Sequence, residues 1–406
     1  MPSLLQINVE VNTGSTGRIA EEIGTTVIEK GWSSYIAYGR NPMPSKSHTI
    51  RIGSDLDVKL HVLNTRLFDN HGFGSVNATK SLVHEIENIH PDIIHLHNIH
   101  GYYINVEILF NYLCQSNIPV VWTLHDCWSM TGHCSHFDFV KCNKWETECN
   151  NCPNLRGYPS TKFFDRSSHN FYKKKKIFTS YNNITIVTPS VWLKDIVQHS
   201  FLKNFRVEVI NNGINLSVFR PCGSKNIRKI YGIPENKNII IGVASVWNER
   251  KGLDDFIELS KMLDDNEIVC LVGLKKEQLK RIPEKIIGIE RTENTSQLAA
   301  LYSLADVFVN PTWVDTFPTT NIEAMACGTP VVTYRTGGSP ESVIKETGLV
   351  VDKGNVSALY KAIKNIENIG KDMYSEACRD RAIKNYNKDD RFNDYYNLYK
   401  SLIHVY

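Results

Sequence analysis

The chain has 406 residues, with 46 Lys and Arg against 43 Asp and Glu and a formal net charge of +3. This length exceeds one comfortable hydrophobic core and predicts two domains of about 150–200 residues each. The nearly balanced charge argues against a nucleic-acid-binding surface over the whole chain, so any basic character that matters must be local. No stretch approaches the roughly 18 uncharged apolar residues of a membrane span.

The first residues, MPSLLQINVEVNTG, carry neither a charged n-region nor a long apolar h-region. The sequence therefore predicts no secretory signal and a cytoplasmic location. In a reducing compartment the ten cysteines are expected to be mostly reduced. Metal binding or plain packing is then favoured over disulfide formation.

Predicted strands and helices alternate along the first half of the chain. Short continuous apolar runs suit strands that are buried on both faces of a parallel sheet. A helical run over 19–30 follows the first of these strands. The strands predicted in this half are 4–11, 34–38, 92–96, 120–124 and 184–188.

The same alternation begins again after about residue 210 and predicts a second doubly wound α/β domain. The predicted strands are 238–244, 268–272, 306–310 and 330–334, and the predicted helices are 252–263, 295–304 and 320–327.

The predicted domains are an N-terminal domain over 1–210, a second domain over 211–385, and a C-terminal helix over 386–406. The turn signal Asn211-Asn-Gly marks the first boundary. We expect the C-terminal helix to pack back on the N-terminal domain through an apolar stripe. The stripe is Phe392, Tyr395, Tyr396, Tyr399, Leu402, Ile403 and Tyr406.

Two acids, Asp315 and Glu323, flank a Pro-Thr-Thr-Asn turn that follows a predicted strand. Thr319, Thr320 or Asn321 can cap the next helix, whose free amides and dipole would bind a diphosphate. Glu323, in the first helical turn, suits a ribose diol, and Asp315 suits a sugar beyond the diphosphate. The alternative is a solvated loop acid and a glutamate that merely favours the helix dipole.

Two further strand-end loops carry complementary chemistry. Arg250 and Lys251 are adjacent cations that suit a leaving diphosphate, because arginine forks onto phosphate oxygens and lysine acts as a point charge. The loop Gly337-Gly-Ser-Pro-Glu341 lets backbone approach a ligand closely and adds a third acid, Glu341. Three such loops in one domain predict a site for a nucleotide-diphosphate sugar.

These motifs resemble those of the family 4 retaining glycosyltransferases, whose GT-B fold has two doubly wound Rossmann-like domains facing a central cleft. The resemblance is carried by the acid pair followed by EAMACGTPVV, the Arg-Lys-Gly loop, GGSPE and the N-terminal GSTGR loop. It implies that Glu323 binds the ribose, Asp315 sits near the donor sugar, and Lys251 holds the diphosphate. It also implies that Gly14 and Gly17 line the donor's approach, and that no catalytic metal is needed.

The sequence departs from the family pattern at two positions. Asp315 stands where the family usually has Glu, which shortens the reach by one methylene. Ser245 stands where an arginine commonly precedes the lysine, so Arg250 is the candidate substitute. The only Asp-x-Asp motif, Asp55-Leu-Asp57, is interpreted as a loop and not as a metal site.

Histidines follow two predicted strands of the N-terminal domain. His125 comes after 120–124, and the family resemblance implies that it contacts the donor sugar near the reacting carbon. His97 and Asn98 are candidates on the acceptor side. Histidines at such positions can bind hydroxyls or carry protons, and a purely structural hydrogen bond is the alternative. His95 alternates inward in its strand and is expected in the core.

A cysteine-rich insertion is predicted over 127–160. Cys134, Cys142, Cys149 and Cys152 fall within nineteen residues. That density favours a structural zinc with all four tetrahedral positions closed, with unligated thiols or a disulfide as alternatives. The pattern is similar to that of colanic-acid and exopolysaccharide assembly enzymes of the same family.

Aromatic residues precede four consecutive lysines, Lys173–Lys176. Such a segment can lie on anionic lipid, with about 1 kcal/mol gained for each basic residue near the surface. This hypothesis places the protein at the inner face of the cytoplasmic membrane and suits a lipid-linked acceptor. A solvated helix face is the alternative.

The leading hypothesis is a retaining glycosyltransferase that moves a sugar from a nucleotide-diphosphate donor to a glycan acceptor in bacterial surface polysaccharide biosynthesis. The acceptor could be linked to a polyprenyl diphosphate, and no nucleic-acid partner is expected. One alternative is a nucleotide-sugar 2-epimerase of GT-B fold, and another is a non-catalytic zinc-stapled binding module. A nicotinamide enzyme is disfavoured because Gly-Ser-Thr-Gly-Arg is not G-x-G-x-x-G.

Overall fold

A computed structural model describes residues 1–223 and 225–403. The chain forms two compact units, the first made of Met1–Asn211 with the segment from Phe392 onward and the second of Asn212–Arg391. The predicted boundary after residue 210 lies one residue from this division. The chain returns to the first unit at Phe392, and not at the predicted residue 386.

The first unit contains a seven-stranded parallel sheet in the order β3-β2-β1-β4-β5-β6-β7. Its strands are β1 Ser3–Asn8, β2 Ser33–Tyr38, β3 His48–Arg51, β4 Ile93–Leu96, β5 Val120–Thr123, β6 Ile184–Thr188 and β7 Arg206–Val209. Its helices before the second unit are α1 Gly14–Glu29, α2 Asp55–Phe68, α3 Val76–Ile89, α4 Val106–Ser116, α5 Ser167–Phe178 and α6 Val191–His199.

The central strands β4, β5 and β6 are buried along their whole length, as the continuous apolar runs predicted. The edge strands β3 and β7 were not predicted. Each has one partner strand and carries exposed or half-buried residues, so neither forms an apolar run.

The second unit contains a six-stranded parallel sheet in the order β10-β9-β8-β11-β12-β13. Its strands are β8 Asn238–Val243, β9 Glu267–Val272, β10 Ile286–Ile289, β11 Val307–Asn310, β12 Val331–Tyr334 and β13 Gly348–Val351. Its helices are α7 Lys225–Tyr231, α8 Leu253–Ser260, α9 Lys276–Leu279, α10 Thr295–Leu304, α11 Thr319–Ala326, α12 Val356–Ile369 and α13 Asp372–Tyr386. The prediction of two doubly wound α/β domains is confirmed.

In both sheets the strand order reverses beside the first strand of the unit, between β1 and β4 and between β8 and β11. Ligands of open α/β sheets bind outside the carboxyl ends of the strands at such a reversal. A ligand site is therefore expected on particular loops of each unit. These are the loops after β1, β4 and β5 in the first unit and those after β8, β11 and β12 in the second.

The last helix, α14 Lys388–Ile403, enters the core of the first unit. Phe392, Tyr395 and Tyr399 belong to the same apolar cluster as Leu4 and Ile23. Residue Tyr406 of the predicted stripe lies outside the described residues.

The interpretation of Asp55-Leu-Asp57 as a loop is wrong. Asp55 begins helix α2, and Ser54 caps it by accepting a hydrogen bond from the Asp57 backbone N–H. The Asp57 carboxylate in turn accepts from Ser54 N at 2.8 Å, which completes a capping box. Across the part of the chain that the structure describes, no helix is both long and apolar enough to cross a membrane.

Buried polar bonds tie α14 to the sheet of the first unit. The fully buried His95, which the sequence placed in the core, lies 2.6 Å from the Tyr399 hydroxyl through its Nδ1 and 2.8 Å from Thr123 Oγ1 through its Nε2. Thr123 Oγ1 also lies 3.2 Å from the Tyr395 hydroxyl.

We expect Tyr399→Phe to lower the free energy of unfolding of the first unit by about 1–3 kcal/mol, because it leaves a buried ring nitrogen of His95 unpaired. Urea denaturation measures the change. Tyr396→Phe is the matched control, since Tyr396 packs through its ring against Trp32 at a centroid distance of 5.4 Å. Equal stability of the two variants would contradict the structural role of the Tyr399 hydroxyl.

Candidate active site

Three strand-end loops of the second unit meet at one edge of its sheet. The loop after β11 is bonded on one side to the loop after β8, where Trp313 N donates to Arg250 O at 2.8 Å. On the other side it is bonded to the loop after β12, where Gly338 N donates to Asp315 O at 3.1 Å. The predicted convergence of these three loops is therefore observed.

Lys251 and Asp315 form the charged pair at the centre of these loops. Lys251 Nζ lies 2.5 Å from Asp315 Oδ2, and the two side chains are 23% and 17% exposed. The other carboxylate oxygen, Oδ1, accepts from Phe317 N at 3.2 Å. The lysine ammonium and the aspartate carboxylate are thus held together within reach of solvent.

Two glycines allow this close backbone packing. Gly252 has φ +76°, and a Cβ there would lie 2.3 Å from Pro311 O. Gly337 has φ +52°, and a Cβ there would lie 1.9 Å from Asp315 O. A side chain at either position would push the Asp315 loop away from its neighbour.

Helix α11 begins directly after the Asp315 loop. The prediction that Thr319, Thr320 or Asn321 caps it is wrong, because Pro318 is the N-cap residue and, among the described residues, no side chain caps the helix. Thr319 and Thr320 are instead the first two helical residues. Amides in a first helical turn lack an intrahelical acceptor, so they and the helix dipole favour an anion there.

Asn321 has a structural role that the sequence did not indicate. Its buried side chain accepts from Asn310 Nδ2 at 2.7 Å and donates to the hydroxyls of Ser339 and Ser342 at 3.2 and 3.1 Å. Its backbone N–H donates to Pro318 O at 3.3 Å. Asn321 therefore fixes the start of α11 against the loop after β12.

Glu323 is the fifth residue of α11, so the prediction that it falls in the first helical turn is wrong. Its Oε2 accepts from the Tyr302 hydroxyl at 3.0 Å, and Tyr302 is fully buried. Burial, followed by the negative charge of Glu323, raises the pKa of Tyr302. Tyr302 remains a hydrogen-bond donor that orients the carboxylate.

Arg250 and Glu341 lie at the two sides of the same edge. Arg250 Nη1 donates to Val314 O at 3.3 Å and so supports the Asp315 loop. Glu341 belongs to the 3₁₀ turn Ser339–Ser342, and its carbonyl oxygen accepts from Arg381 at 2.9 Å.

A residue that sequence reasoning missed is the buried Asp255, which anchors two of these loops. It accepts from Trp313 Nε1 at 2.8 Å and from the Tyr334 hydroxyl at 2.6 Å. The signal in the sequence was weak, because an acid in the first turn of a helix is usually a surface residue.

In the first unit, the loop after β1 turns into α1 at the predicted glycines. Gly14 is the first residue of the helix, with φ +62°. Gly17 is buried, and a Cβ there would lie 3.2 Å from Glu10 O. The backbone closes this loop through Asn12 N, which donates to Gly17 O at 3.1 Å.

His97 and His125 form a chain of hydrogen bonds with Gln6. His97 Nδ1 lies 3.1 Å from His125 Nε2, and His97 Nε2 lies 3.0 Å from Gln6 Oε1. The amide nitrogen of Gln6 donates to Ala20 O at 2.8 Å, which fixes Oε1 as the acceptor. His97 must then donate from Nε2 and accept at Nδ1. His125 donates from Nε2, and its Nδ1 carries the acceptor lone pair.

Burial keeps both histidines neutral. Desolvation lowers the pKa of His125 from 6.5 to about 4, against a smaller opposing effect of Asp126. The pKa of His97 is also lowered well below its ordinary value, again chiefly by burial. Gln6 could have been found from the sequence, because a glutamine inside an apolar strand implies a buried hydrogen bond.

Asp126 and His100 are functional candidates that the sequence analysis did not select. Asp126 Oδ2 lies 2.9 Å from His100 Nε2, and Oδ1 accepts from Trp128 N at 2.9 Å. Burial alone would raise the pKa of Asp126, but His100 and the hydrogen bonds hold it below its ordinary value. These residues, with His97, Asn98 and His125, line a cavity of about 200 Å³.

Asn98 is bonded through its backbone. Its N–H donates to Asn8 Oδ1 at 3.4 Å, and its carbonyl accepts from the Tyr103 hydroxyl at 2.7 Å. The loop after β4 is therefore anchored to the loop after β1, and the Asn98 side chain remains a candidate ligand.

The four lysines Lys173–Lys176 do not form one exposed basic run. Lys174 is 1% exposed and donates to Trp128 O and Thr131 O at 2.8 and 2.9 Å. Lys173 pairs with Glu107 at 2.7 Å. Because successive residues of helix α5 point in different directions, only Lys175 and Lys176 are exposed.

The geometry defines a protein of two Rossmann-like units in which one sheet edge presents cations and a helix N-terminus and the other presents neutral hydrogen-bonding side chains. A model described as Glycosyltransferase Family 4 matches residues 16–218, and one described as Glycosyl transferases group 1 matches residues 223–387. The chain belongs to glycosyltransferase family 4 and is a glycosyltransferase.

Relatives with known names agree with this assignment. The putative colanic acid biosynthesis glycosyl transferase WcaC of Escherichia coli (strain K12) is 24% identical over 98% of this chain and 100% of its own. The alpha-galactosylglucosyldiacylglycerol synthase of Streptococcus pneumoniae is 27% identical over 39% of this chain and 46% of its own.

Solved structures share the GT-B fold. Sucrose-phosphate synthase from Thermosynechococcus elongatus superimposes with a TM-score of 0.76 at 18% identity, covering 100% of both chains. Anabaena HepE in complex with UDP-glucose superimposes with a TM-score of 0.67 at 15% identity, covering 98% of this chain and 99% of its own.

The neutral state of His125 makes stability depend on pH. The unfolded chain titrates this histidine near 6.5 and the folded chain near 4, so the unfolded state binds more protons between these values. Stability therefore falls as the pH drops through this window. We expect His125→Gln to reduce the loss of urea stability between about pH 7 and pH 5.

His84→Gln is the control for this experiment, because the His84 side chain is 73% exposed. A slope of stability against pH that is the same in His125→Gln and the unmodified protein would contradict the neutral, buried state of His125.

Proposed function

We propose that the protein is a retaining glycosyltransferase that moves a sugar from a nucleotide-diphosphate donor to a glycan acceptor. The observation that carries this proposal is the Lys251–Asp315 pair at 2.5 Å beside the N-terminus of α11, whose first turn has no side-chain cap among the described residues. Cation, carboxylate and helix amides together match a diphosphate joined to a neutral sugar.

In the proposed donor complex the diphosphate lies on the amides of Thr319 and Thr320 and accepts from Lys251. Asp315, which accepts from the ammonium at 2.5 Å and from Phe317 N at 3.2 Å, would also accept from a sugar hydroxyl. Arg250 sits one residue before Lys251 and can fork onto phosphate oxygens in place of the arginine that Ser245 replaces.

Glu323 is the proposed ribose ligand. A carboxylate is an acceptor with about four lone-pair sites, and the Tyr302 hydroxyl at 3.0 Å orients this one. As the fifth residue of α11, it lies a full turn beyond the helix N-terminus. That spacing separates the carboxylate from the phosphate charge, which would repel it. Glu341, on the loop after β12, is a further proposed donor ligand.

The proposed reaction transfers the sugar with retained anomeric configuration. Departure of the diphosphate leaves oxocarbenium character on the sugar, and Lys251 with the α11 amides stabilises the negative charge of the leaving group. The proposal therefore needs no catalytic metal. The acceptor hydroxyl attacks the face from which the diphosphate departs.

The first unit contributes neutral hydrogen-bonding groups to this proposal. His125 Nδ1 is an acceptor suited to a hydroxyl of the donor sugar, and Gly14 and Gly17 let backbone approach the donor. His97 orients His125, and Asn98 is the proposed acceptor-side ligand.

The acceptor class is proposed from the WcaC relative, whose name refers to colanic acid biosynthesis. A growing surface glycan, carried on a lipid diphosphate, is the acceptor that we propose. Contact with anionic lipid rests on Lys175 and Lys176, which are the exposed lysines of the run.

We expect Glu323→Gln to weaken nucleotide binding by about 10- to 100-fold, because it removes a charge-assisted hydrogen bond to the ribose. Calorimetry with UDP is the first measurement, since HepE is described in complex with UDP and UDP-glucose. Glu346→Gln is the control, an exposed glutamate in the same unit. Unchanged nucleotide affinity in Glu323→Gln would contradict the ribose role.

We expect Lys251→Met to lower the transfer rate by about 10²–10³-fold, because the leaving diphosphate loses its nearest cation. Asp315→Glu, which restores the residue usual in the family, should keep measurable transfer. Lys261→Met, at an exposed position in the same unit, is the control.

The product distinguishes transfer from epimerisation: NMR should show a new glycosidic bond with the donor's anomeric configuration. An epimerised nucleotide sugar formed without acceptor would refute the proposed reaction, and a full transfer rate in Lys251→Met would refute the role of that lysine.

A further inference from the structure

The insertion after β5 gathers its cysteines around one cavity. The segment contains three 3₁₀ turns, Trp128–Met130, Asp138–Val140 and Lys144–Glu146, joined by irregular backbone. A cavity of about 270 Å³ is lined by all four cysteines of the motif together with His133 and Trp145. The cysteines are Cys134, Cys142, Cys149 and Cys152.

The sulfur atoms on this cavity are engaged with each other and with backbone amides. Cys134 and Cys152 lie close enough to interact with each other. Cys149 Sγ accepts from Gly132 N at 3.2 Å, and the Asn154 backbone donates to Cys152. The sulfur atoms therefore lie at one cavity, with backbone donors beside them.

His133 provides a second and independent indication. It is 2% exposed, and its Nδ1 lies 2.6 Å from Asp69 Oδ1. Its Nε2 is buried and, within the described part of the chain, has no hydrogen-bond partner. A buried ring nitrogen on a cavity wall costs free energy unless the cavity holds a polar or charged group.

Lys174 supplies a buried positive charge beside the same cavity. Its ammonium bonds two carbonyl oxygens and lies 3.6 Å from the centre of the Trp128 ring. Burial lowers the pKa of Lys174 to about 7, and Cys149, Asp69 and Cys134 oppose this shift. Four thiolates around a divalent cation carry a net charge of about −2, so a buried cation is a suitable neighbour for them.

We propose that this cavity is a structural zinc site closed by the thiolates of Cys134, Cys142, Cys149 and Cys152. The four thiols lose their protons to solvent when Zn²⁺ binds, and no electrons are exchanged. Lys174 offsets part of the charge of the centre, and Asp69 holds the ring of His133 beside it. The site staples the insertion that directly follows His125 and Asp126.

The four thiols line the cavity but do not have the spacing of a tetrahedral metal site. Among residues 1–223 and 225–403, no three His, Cys, Asp or Glu side chains are arranged closely enough to hold a metal ion. Zn–S bonds of about 2.3 Å place tetrahedral sulfurs about 3.8 Å apart. Binding therefore requires the short turns of the insertion to close around the ion, which predicts that zinc stabilises the segment.

Metal analysis of the full-length protein tests the proposal directly. Protein purified in a thiol reductant, without a metal-affinity tag, should contain about one zinc per chain by mass spectrometry of the elements. X-ray absorption should show four sulfur neighbours at about 2.3 Å. Three sulfur neighbours and one nitrogen would overturn the proposed ligand set. Protein that holds no zinc even after incubation with ZnCl₂ would overturn the site itself.

Variants separate ligands from neighbours. Cys142→Ser and Cys149→Ser should each lower the zinc content well below half, whereas Cys114→Ser, an exposed cysteine outside the insertion, should keep it. His133→Gln should keep zinc with an affinity lower by about 10-fold, because a group that supports the site is lost without removal of a ligand. Zinc retained in Cys142→Ser but lost in His133→Gln would contradict Cys142 as a ligand and would assign that position to His133.

Intact mass under native conditions distinguishes the alternatives. A mass lower by about 2 Da for each bridge, measured without bound metal, would indicate disulfides and overturn the zinc proposal. Each of these readouts is independent of sugar transfer. Failure of the zinc site therefore leaves the proposed function standing, and failure of the transfer assays leaves the zinc site standing.

Discussion

The carbonyl oxygen of Asp315 is the contact on which the charged site of the second unit depends. Gly338 N donates to it at 3.1 Å, and Gly337 approaches it so closely that a Cβ would lie at 1.9 Å. Gly252 packs in the same manner against Pro311 O. Because the three loops are locked through backbone, the Lys251 and Asp315 side chains are held in place and still reach solvent. A ligand can then replace the bond between Lys251 and Asp315 without a rearrangement of the loops.

The two units use opposite electrostatics for hydrogen bonding. In the second unit a lysine and an aspartate form a partly exposed ion pair, which suits a diphosphate. In the first unit burial lowers the pKa of His97 and His125, so both rings are neutral near pH 7. Neutral rings can accept as well as donate, which suits sugar hydroxyls, whereas an imidazolium could only donate.

Much of the fold could be predicted from the sequence, because a strand buried on both faces must be apolar along its length. Ile184–Thr188 was predicted at its observed bounds for this reason. The strand ends then located Lys251, Asp315 and His125. Edge strands such as His48–Arg51 escaped prediction, since an exposed strand has no such compositional requirement.

Side-chain roles were less predictable, because they depend on packing partners far away in sequence. The sequence predicted a helix cap at Thr319, Thr320 or Asn321, but the N-cap residue of α11 is Pro318. The Asn321 side chain instead donates to the buried hydroxyls of Ser339 and Ser342. Lys174 reads as part of a basic surface, yet the helical period turns it onto the Trp128 ring. Tertiary hydrogen bonds and cation–π contacts leave no local pattern in a sequence.

The position of Lys174 links the insertion to the histidine loop. Its ammonium donates to Trp128 O and Thr131 O, and Trp128 N donates to Asp126 Oδ1, whose other oxygen lies 2.9 Å from His100. Lys174, Trp128 and His100 are buried and the Asp126 side chain is only 15% exposed, so displacing one of them leaves an unpaired polar group or charge in a poorly solvated place. An insertion that is free to move would therefore disturb the residues that directly follow β5. The geometry around His125 therefore depends on an ordered cysteine-rich segment.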